Sequence, residues 1–547
     1  MALQATAGSP TTIGTFDALL PPGTVRLVSS ATNLDEEATD STVLVLSPVP
    51  SSDPNEPLNW SQVRKVVNYA LVLAVTLASF TNVSIQTVFW QQMTVELGLE
   101  ISQLSSGISV QLAGLAVGCL FLIPFTVKYG RRLTYLISLA VLASGSWWAA
   151  RMNTYPEVLI TNFIIGLACA INETAVQMTI VDLFFVHQRG SLNGLYFVAV
   201  MAGSFLTPMA AGAQANTWGW RSSYYTLATA TTILFVIFVF AFEETKYVPI
   251  SIAEIEVIIS TPTKSEDDKH NSKGVDEKAT ELENIQSDPG SSFQKNSYRE
   301  RMRLRTPTSE SLISVFILPL HVITLPHVMF TALQFASGVA WLVLFLTILS
   351  VVFSAPPYAF NTAQIGMMGL GPFVGNAFGS VYGGPMADWA VMRLARRNGG
   401  LYEPEFRLYL LIIPAMTMAG GIIMFGVTAD RGMHWIYPSI GAAFFAFGLG
   451  ANGDITFTFV LDTYKELTAE AFVGIAFIRN AISIAIPFSM VPWLKKMGLS
   501  NMFILCGVLS FVVALLFVPM IIWGKRIRAA LAPRYWRLVE KRMSLSL

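Results

Sequence analysis

The sequence predicts an all-α polytopic membrane protein made of two six-helix halves, about twelve spans in all, with both termini in the cytoplasm. Three observations carry this. Of 547 residues, 53% are hydrophobic and 13% charged, and the mean hydropathy is +0.54, outside the range of ordinary soluble domains. The apolar stretches are continuous and near twenty residues, the helix length that crosses a hydrocarbon core of about 30 Å, whereas a barrel would show alternating stretches of about ten. Basic residues concentrate in one set of loops.

Taken in order, residues 1–62 are rich in Ser, Thr, Pro and Asp without an apolar period, and are expected to form a disordered cytoplasmic tail. No basic residue precedes Arg26 and no early apolar core occurs, so no cleaved signal peptide is expected. The tail ends in Asp53-Pro54-Asn55-Glu56-Pro57-Leu58-Asn59-Trp60-Ser61 and then Arg64-Lys65, an aromatic and two cations where the first span begins, which reads as an interfacial collar. The N-terminal half, residues 63–244, holds spans near 66–88, 105–127, 134–150, 157–184, 192–214 and 222–242. Residues 245–325 turn polar and form a cytoplasmic linker with Arg299, Arg301, Arg303 and Arg305; its apolar patches at 250–259 and 312–320 are too short to span and are expected as interfacial helices. The C-terminal half, residues 326–524, repeats the count near 327–353, 363–386, 408–429, 435–460, 472–493 and 502–523. Residues 525–547 form a basic cytoplasmic tail with Glu540 as its single acid.

Orientation follows from the loops. With the N-terminus inside, inner loops carry Lys128, Arg131, Arg132, Arg189, the linker arginines, Arg393, Arg396, Arg397, Arg407 and Lys465, and outer loops only Arg151, Arg221, Arg431, Lys495 and Lys496. Cys119, Cys169 and Cys506 each lie in an apolar run, which supports neither a disulfide framework nor a metal cluster. The net charge is zero and says nothing about partners.

Two motifs narrow the class. The turn after the second span reads Ile123-Pro124-Phe125-Thr126-Val127-Lys128-Tyr129-Gly130-Arg131-Arg132, and its counterpart in the other half reads Gly384-Pro385-Met386-Ala387-Asp388-Trp389. Together they resemble the Gly-x-x-x-Asp-Arg-x-Gly-Arg-Arg signature of the major facilitator superfamily, the first keeping the basic end and the second the Gly and Asp. The fifth span carries Gly194, Gly203, Thr207-Pro208 and Ala211-Gly212, similar to the antiporter signature of drug/proton exchangers in that superfamily. There small residues let helices approach and Pro208 bends its helix. The stretches 53–64, 398–408 and 454–480 resemble the fungal proton-antiporter group with twelve spans, which includes polyamine, drug and metabolite transporters. The resemblance implies a major facilitator fold, and a role for Asp388 in facing a helix N-terminus, where a carboxylate is favoured.

It also implies that the first, fourth, seventh and tenth spans line a central cavity. These offer Asn82 and Gln86; Asn172, Glu173 and Gln177; Gln334 and Trp341; and Asn452 and Asp454. Asn82 with Gln86 and Glu173 with Gln177 are spaced i to i+4 and share a helix face. A carboxylate inside a span costs roughly 2.5 to 3.5 kcal/mol on insertion scales and is functional by default. Pseudo-twofold placement puts Glu173 and Asp454 on opposite cavity walls as proton carriers or cation ligands. Arg479, the intramembrane cation nearby, offers an alternative in which it neutralises Asp454. Gln334, Asn452 and Asn480 also fit as interhelical glue, and Trp341 as packing.

The reading is a proton-coupled secondary transporter, working by alternating access as an efflux antiporter of a drug-like or secondary-metabolite compound. Its expected partners are that small molecule, protons and the lipid bilayer, with no nucleic acid and no cofactor beyond the proton gradient. A monomer in the plasma membrane is expected. The alternatives are uptake of polyamines or other organic cations, and a membrane sensor that binds without translocating. The sequence has no P-loop pattern, and no helix carries paired His or a nucleophile beside a base, so neither an ATP-driven pump nor an enzyme is expected.

Overall fold

The computed structural model describes residues 21–26, 53–247, 296–306, 312–399 and 401–546. Among them, nine helices are long and apolar enough to cross a membrane. The first bundle comprises α1 (Gln62–Ser84), α2 (Trp90–Leu97), α3 (Ile101–Tyr129), α4 (Arg131–Ala149), α5 (Tyr155–Cys169), α6 (Ala175–Leu183), α7 (Val186–Met201), α8 (Thr207–Trp218) and α9 (Trp220–Ala241). The short helices α10 (Tyr298–Arg301) and α11 (Leu312–Val322) lead into the second. That bundle comprises α12 (Pro326–Phe353), α13 (Thr362–Met367), α14 (Leu370–Val381), α15 (Ala387–Arg397), α16 (Ile412–Asp430), α17 (Ile436–Thr463), α18 (Thr468–Ser483), α19 (Ala485–Ala514) and α20 (Phe517–Ser546). Where helices follow one another closely, local chemistry makes the break. A capping box at Glu100 and Gln103 starts α3, another at Thr154 and Glu157 starts α5, and Gly498 at φ 74° turns the chain within α19.

The bundles meet along a seam in which α3 packs on α18 and α19, and α8 packs on α13. The end of the seam away from residues 21–26 and α20, called distal here, is tightly closed. The Ser105 and Ser109 hydroxyls donate to the carbonyls of Pro487 (2.5 Å) and Ile484 (3.0 Å). A Cβ on Gly366 would lie 2.9 Å from the Pro208 carbonyl oxygen, and one on Gly212 would lie 2.7 Å from that of Thr362. One apolar cluster, including Val88 and Phe89 with Phe345 and Leu349, runs across this closure. At the opposite, tail end, Cys119, Ile123 and Met178 pack on Val473 and Ala476.

The expectation of disorder across residues 1–62 needs correction. The collar is built: the Arg64 guanidinium stacks 3.6 Å over Trp60, and buried Lys65 donates to the Leu58 carbonyl at 2.8 Å. Residues 21–26 are docked on the second bundle through a two-stranded sheet, β1 (Val25–Arg26) antiparallel to β2 (Leu401–Tyr402). Composition predicts little core-forming power for such a segment, but it borrows a partner strand and fixed charges from elsewhere in the chain. The expected interfacial patch at 312–320 is helix α11, which packs on both α3 and α18. The patch at 250–259 lies outside the described residues.

Candidate functional site

The fourth span of the sequence is broken where its polar residues cluster. A 3-10 turn at Ala170–Glu173 separates α5 from α6, with Thr174 at φ −137°. Asn172 fastens the break: its Nδ2 donates to the Ser79 hydroxyl at 2.7 Å, and its carbonyl accepts from the Tyr196 hydroxyl at 3.1 Å. The break delivers Glu173 to the seam, where its carboxylate forms an ion pair with Arg479 of α18, the two side chains being 5% and 12% exposed. Asn480 completes the unit. Its Nδ2 donates to Glu173 Oε2 at 3.3 Å, while its Oδ1 accepts from Arg479 Nε (3.1 Å) and Nη2 (2.9 Å). The guanidinium also lies 5.1 Å over the Phe335 ring, which continues through Phe457 (4.5 Å) to Phe472 (5.1 Å). A carboxylate of one bundle thus holds a cation and an amide of the other. The unit carries no net charge while Glu173 is ionised, and gains a positive charge when Glu173 takes a proton.

This arrangement corrects the pairing of Arg479 with Asp454. The Asp454 carboxyl hydrogen-bonds Ser380, and a Cβ on Gly383 would lie 2.8 Å from that of Asp454, so this acid points to α14 and the turn after it. Helix phase explains the difference, because span number alone does not say which face of a helix meets the seam.

The other expected cavity residues separate into packing roles. Asn82 donates to the Ala78 carbonyl and accepts from Ser146 at 2.8 Å, inside the first bundle. Gln86 is buried with neither side-chain polar atom hydrogen-bonded. Gln334 Nε2 donates to the Val513 (2.8 Å) and Ala514 (3.1 Å) carbonyls, Asn452 reaches the Gln334 carbonyl at 3.4 Å, and Trp341 donates to the Ser337 hydroxyl. Gln177 is half-buried. In the antiporter-like span, a π turn at Ala202–Leu206 precedes Pro208, and a Cβ on Gly203 would lie 2.8 Å from the Leu77 carbonyl oxygen. Thr207 adds a 2.8 Å hydroxyl contact with Thr81. Gly194 and Gly384 face open space, so close helix approach does not account for them.

At the tail end, the complementary motif fragments are completed by residues that the motif reading did not include. Gly130, at φ 106°, turns the chain into α4, whose first amides, at Arg131 and Arg132, donate to the two Glu244 carboxylate oxygens at 2.9 and 3.2 Å. Glu244 therefore stands at a helix N-terminus, and Asp388, in the first turn of α15, forms an ion pair with Arg407 at 2.8 Å. Burial pushes Glu244 above the usual carboxylate range, opposed by the amides of Lys246, Arg131 and Arg132. Arg131 pairs with Asp182 at 3.0 Å, Arg407 with Asp462 at 2.7 Å, and Arg528 with Glu405 at 2.6 Å. The available signals were acids just outside a span, Glu243-Glu244 and Glu403 to Glu405, and a lone acid, Asp182, at a span's end.

The chain matches the family model for the Major Facilitator Superfamily over residues 71–487. An uncharacterised MFS-type transporter of Schizosaccharomyces pombe is 30% identical over 92% of this chain and 91% of its own length. The MFS antiporter QDR3 of Candida albicans is 23% identical over 81% of this chain and 76% of its own. A solved structure of the proton:xylose symporter XylE superposes with a TM-score of 0.55 at 16% identity, covering 84% of this chain and 97% of that one. Two helical bundles closed on each other, the family match across most of both, and a relative aligned nearly end to end agree: the chain belongs to the Major Facilitator Superfamily, beside fungal transporters of that family, and is a membrane transporter and not an enzyme.

Proposed function

We propose that this protein is a proton-coupled efflux antiporter of a small organic compound, with Glu173 as its coupling carboxylate. The observation that carries the reading is the ion pair across the seam: Glu173 of one bundle with Arg479 and Asn480 of the other. Ionised, Glu173 draws the bundles together. Protonated, it leaves Arg479 with Asn480 alone and weakens that hold, so proton binding and bundle separation are linked. The name of the Candida albicans relative, an antiporter, favours exchange. We assign twelve spans in two halves, both termini to the cytoplasm, and a monomer in the plasma membrane with no cofactor beyond the proton gradient.

The test uses purified protein in liposomes with ethidium as a drug-like probe and an imposed pH gradient. Gradient-dependent ethidium flux that disappears in Glu173→Gln is the expected result. Equal flux with and without the gradient would sink proton coupling.

A second reading, uptake of organic cations, is supported by the setting of Arg479, a guanidinium held by a carboxylate over an aromatic ring. Spermidine as the probe separates the two readings. Saturable spermidine uptake without ethidium export would replace the first with the second.

A further inference from the structure

The second bundle carries a groove at the tail end that holds a piece of this same chain. Its walls are the Leu401–Tyr402 strand, the last turn of α17 at Asp462 and Thr463, and Arg528 of α20. Residues 21–26 fill it in three ways. Val25 and Arg26 pair with Tyr402 and Leu401 as an added strand. Arg528 Nη1 donates to the Pro22 carbonyl at 2.5 Å and to the Thr24 hydroxyl at 3.1 Å, while its other nitrogens are held by Glu405. Gly23, at φ 85°, lies so close to α17 that a Cβ there would be 2.6 Å from the Asp462 carbonyl oxygen and 2.8 Å from Thr463 Cα. Arg528 and Thr24 are both buried in the contact.

Chain connectivity does not hold the segment there. Residues 27–52 link it to the collar on the first bundle, and at roughly 3.3 Å per residue they can reach about 85 Å. The contacts themselves do the holding: strand pairing, charge-assisted hydrogen bonds and a fit that only glycine allows. We propose that residues 21–26 are a detachable latch, an intramolecular peptide ligand of this groove that stabilises the arrangement closed at the distal end.

The physical route to that closure runs through α17. The latch grips its final turn, less than two turns from Phe457. The Phe457 ring packs 4.5 Å from Phe335, on which the Arg479 guanidinium rests, and 6.4 Å from Phe197 of the first bundle. A displacement of the α17 end therefore shifts the surface that seats Arg479 against Glu173. A ligand that binds one arrangement populates it, and its removal depopulates it.

The test compares the full chain with one lacking residues 2–30, both carrying Ser105→Cys at the distal closure, in detergent. A fluorescent peptide of residues 17–30 is the ligand probe, and maleimide labelling of position 105 reports opening, with the chain lacking that substitution as the background. The expected result is that the peptide binds the shortened chain, not the full chain, and that its Gly23→Val version binds at least tenfold more weakly. Labelling should be at least threefold faster in the shortened chain and return to the full-chain rate on adding peptide, which distinguishes latch release from misfolding. Gly23→Val in the full chain, a change confined to the tail, should reproduce the faster labelling. Peptide binding equally to both chains or to neither would overturn the proposal, as would equal labelling rates. Neither readout requires a transported substrate, so the latch stands or falls separately from the transport reading.

Discussion

Replacing Glu173 by Gln removes one charge from the seam and leaves its neighbours in place. Arg479 is then a guanidinium with 12% of its side chain exposed and no anion beside it. Breaking a buried pair by removing one partner costs about 3–5 kcal/mol. The Asn480 Oδ1 bonds to the guanidinium lie within α18 and are present with or without Glu173, so they do not offset this loss. The closed seam therefore loses at least about 3 kcal/mol, or roughly a hundredfold in the closed-to-open ratio at about 1.4 kcal/mol per decade. Maleimide labelling of Ser105→Cys, whose side chain is buried in the distal closure, should accelerate by that factor in Glu173→Gln. Arg479→Gln should do the same, by stranding the carboxylate. The double substitution should recover most of the loss, since two amides can bond each other, so the two single losses should be strongly non-additive. Independent effects in the double variant, with rates multiplying, would refute the claim that this pair holds the bundles together.

Other consequences follow from the same geometry. Gly366→Val places a branched side chain where the Pro208 carbonyl is 2.9 Å from Cβ, so it should prop the distal end open, raising Ser105→Cys labelling and lowering transport at least tenfold (about 1.4 kcal/mol). Asp454→Asn should reduce gradient-driven flux less than Glu173→Gln, because Asp454 bonds Ser380 away from Arg479; the reverse order would transfer the coupling role. Gly130→Ala should lower the thermal midpoint by the equivalent of about 1–3 kcal/mol, since φ 106° suits glycine and the new Cβ meets the Glu244 carboxylate that caps α4. Burial raises the folded pKa of Glu244 above the ordinary carboxylate value, so its stabilising contribution is full below that ordinary value and is lost as pH rises through the folded one. Thermal melts of Glu244→Gln should accordingly gain on the parent chain as pH rises from about 4.5 to 7.5.

The helices were legible because membrane-length apolar runs leave few alternatives: the expected spans near 105–127 and 327–353 sit inside α3 and α12, and the one near 435–460 begins one residue before α17. Glu173 was legible for the same reason, as a charge where charge is costly. Its partner was not. Arg479 could be placed near the middle of a span, but whether it met Asp454 or Glu173 depended on helix rotation about the axis, which uniformly apolar helices do not record. Residues 21–26 were illegible for a different reason. Nothing in Pro21-Pro22-Gly23-Thr24-Val25-Arg26 encodes order by itself; the order comes from Arg528 and the Leu401–Tyr402 strand, far away in the chain.

The divided motif acquires a physical sense when the two bundles are compared at the tail end. In each, an arginine at the start of a helical run meets an acid at the tail end of another: Arg131 with Asp182, and Arg407 with Asp462. In each, a second charge arrives from the bundle's last helix or just beyond it, but with opposite sign. The first bundle brings the carboxylate of Glu244 onto the amides of α4, whereas the second brings the guanidinium of Arg528 onto Glu405. Val127, standing where the signature has its acid, is thus no simple loss, because a carboxylate from beyond α9 occupies the helix N-terminus instead. The sign reversal also gives the second bundle the donors that hold residues 21–26 among the described residues. A cation within the last helix has donors left for the carbonyl of Pro22 and the hydroxyl of Thr24, while the carboxylate in the first bundle is already committed to backbone amides. Among the described residues, the charge that arrives at the tail end of the second bundle is the one with donors to spare, and residues 21–26 supply the carbonyl and the hydroxyl that take them.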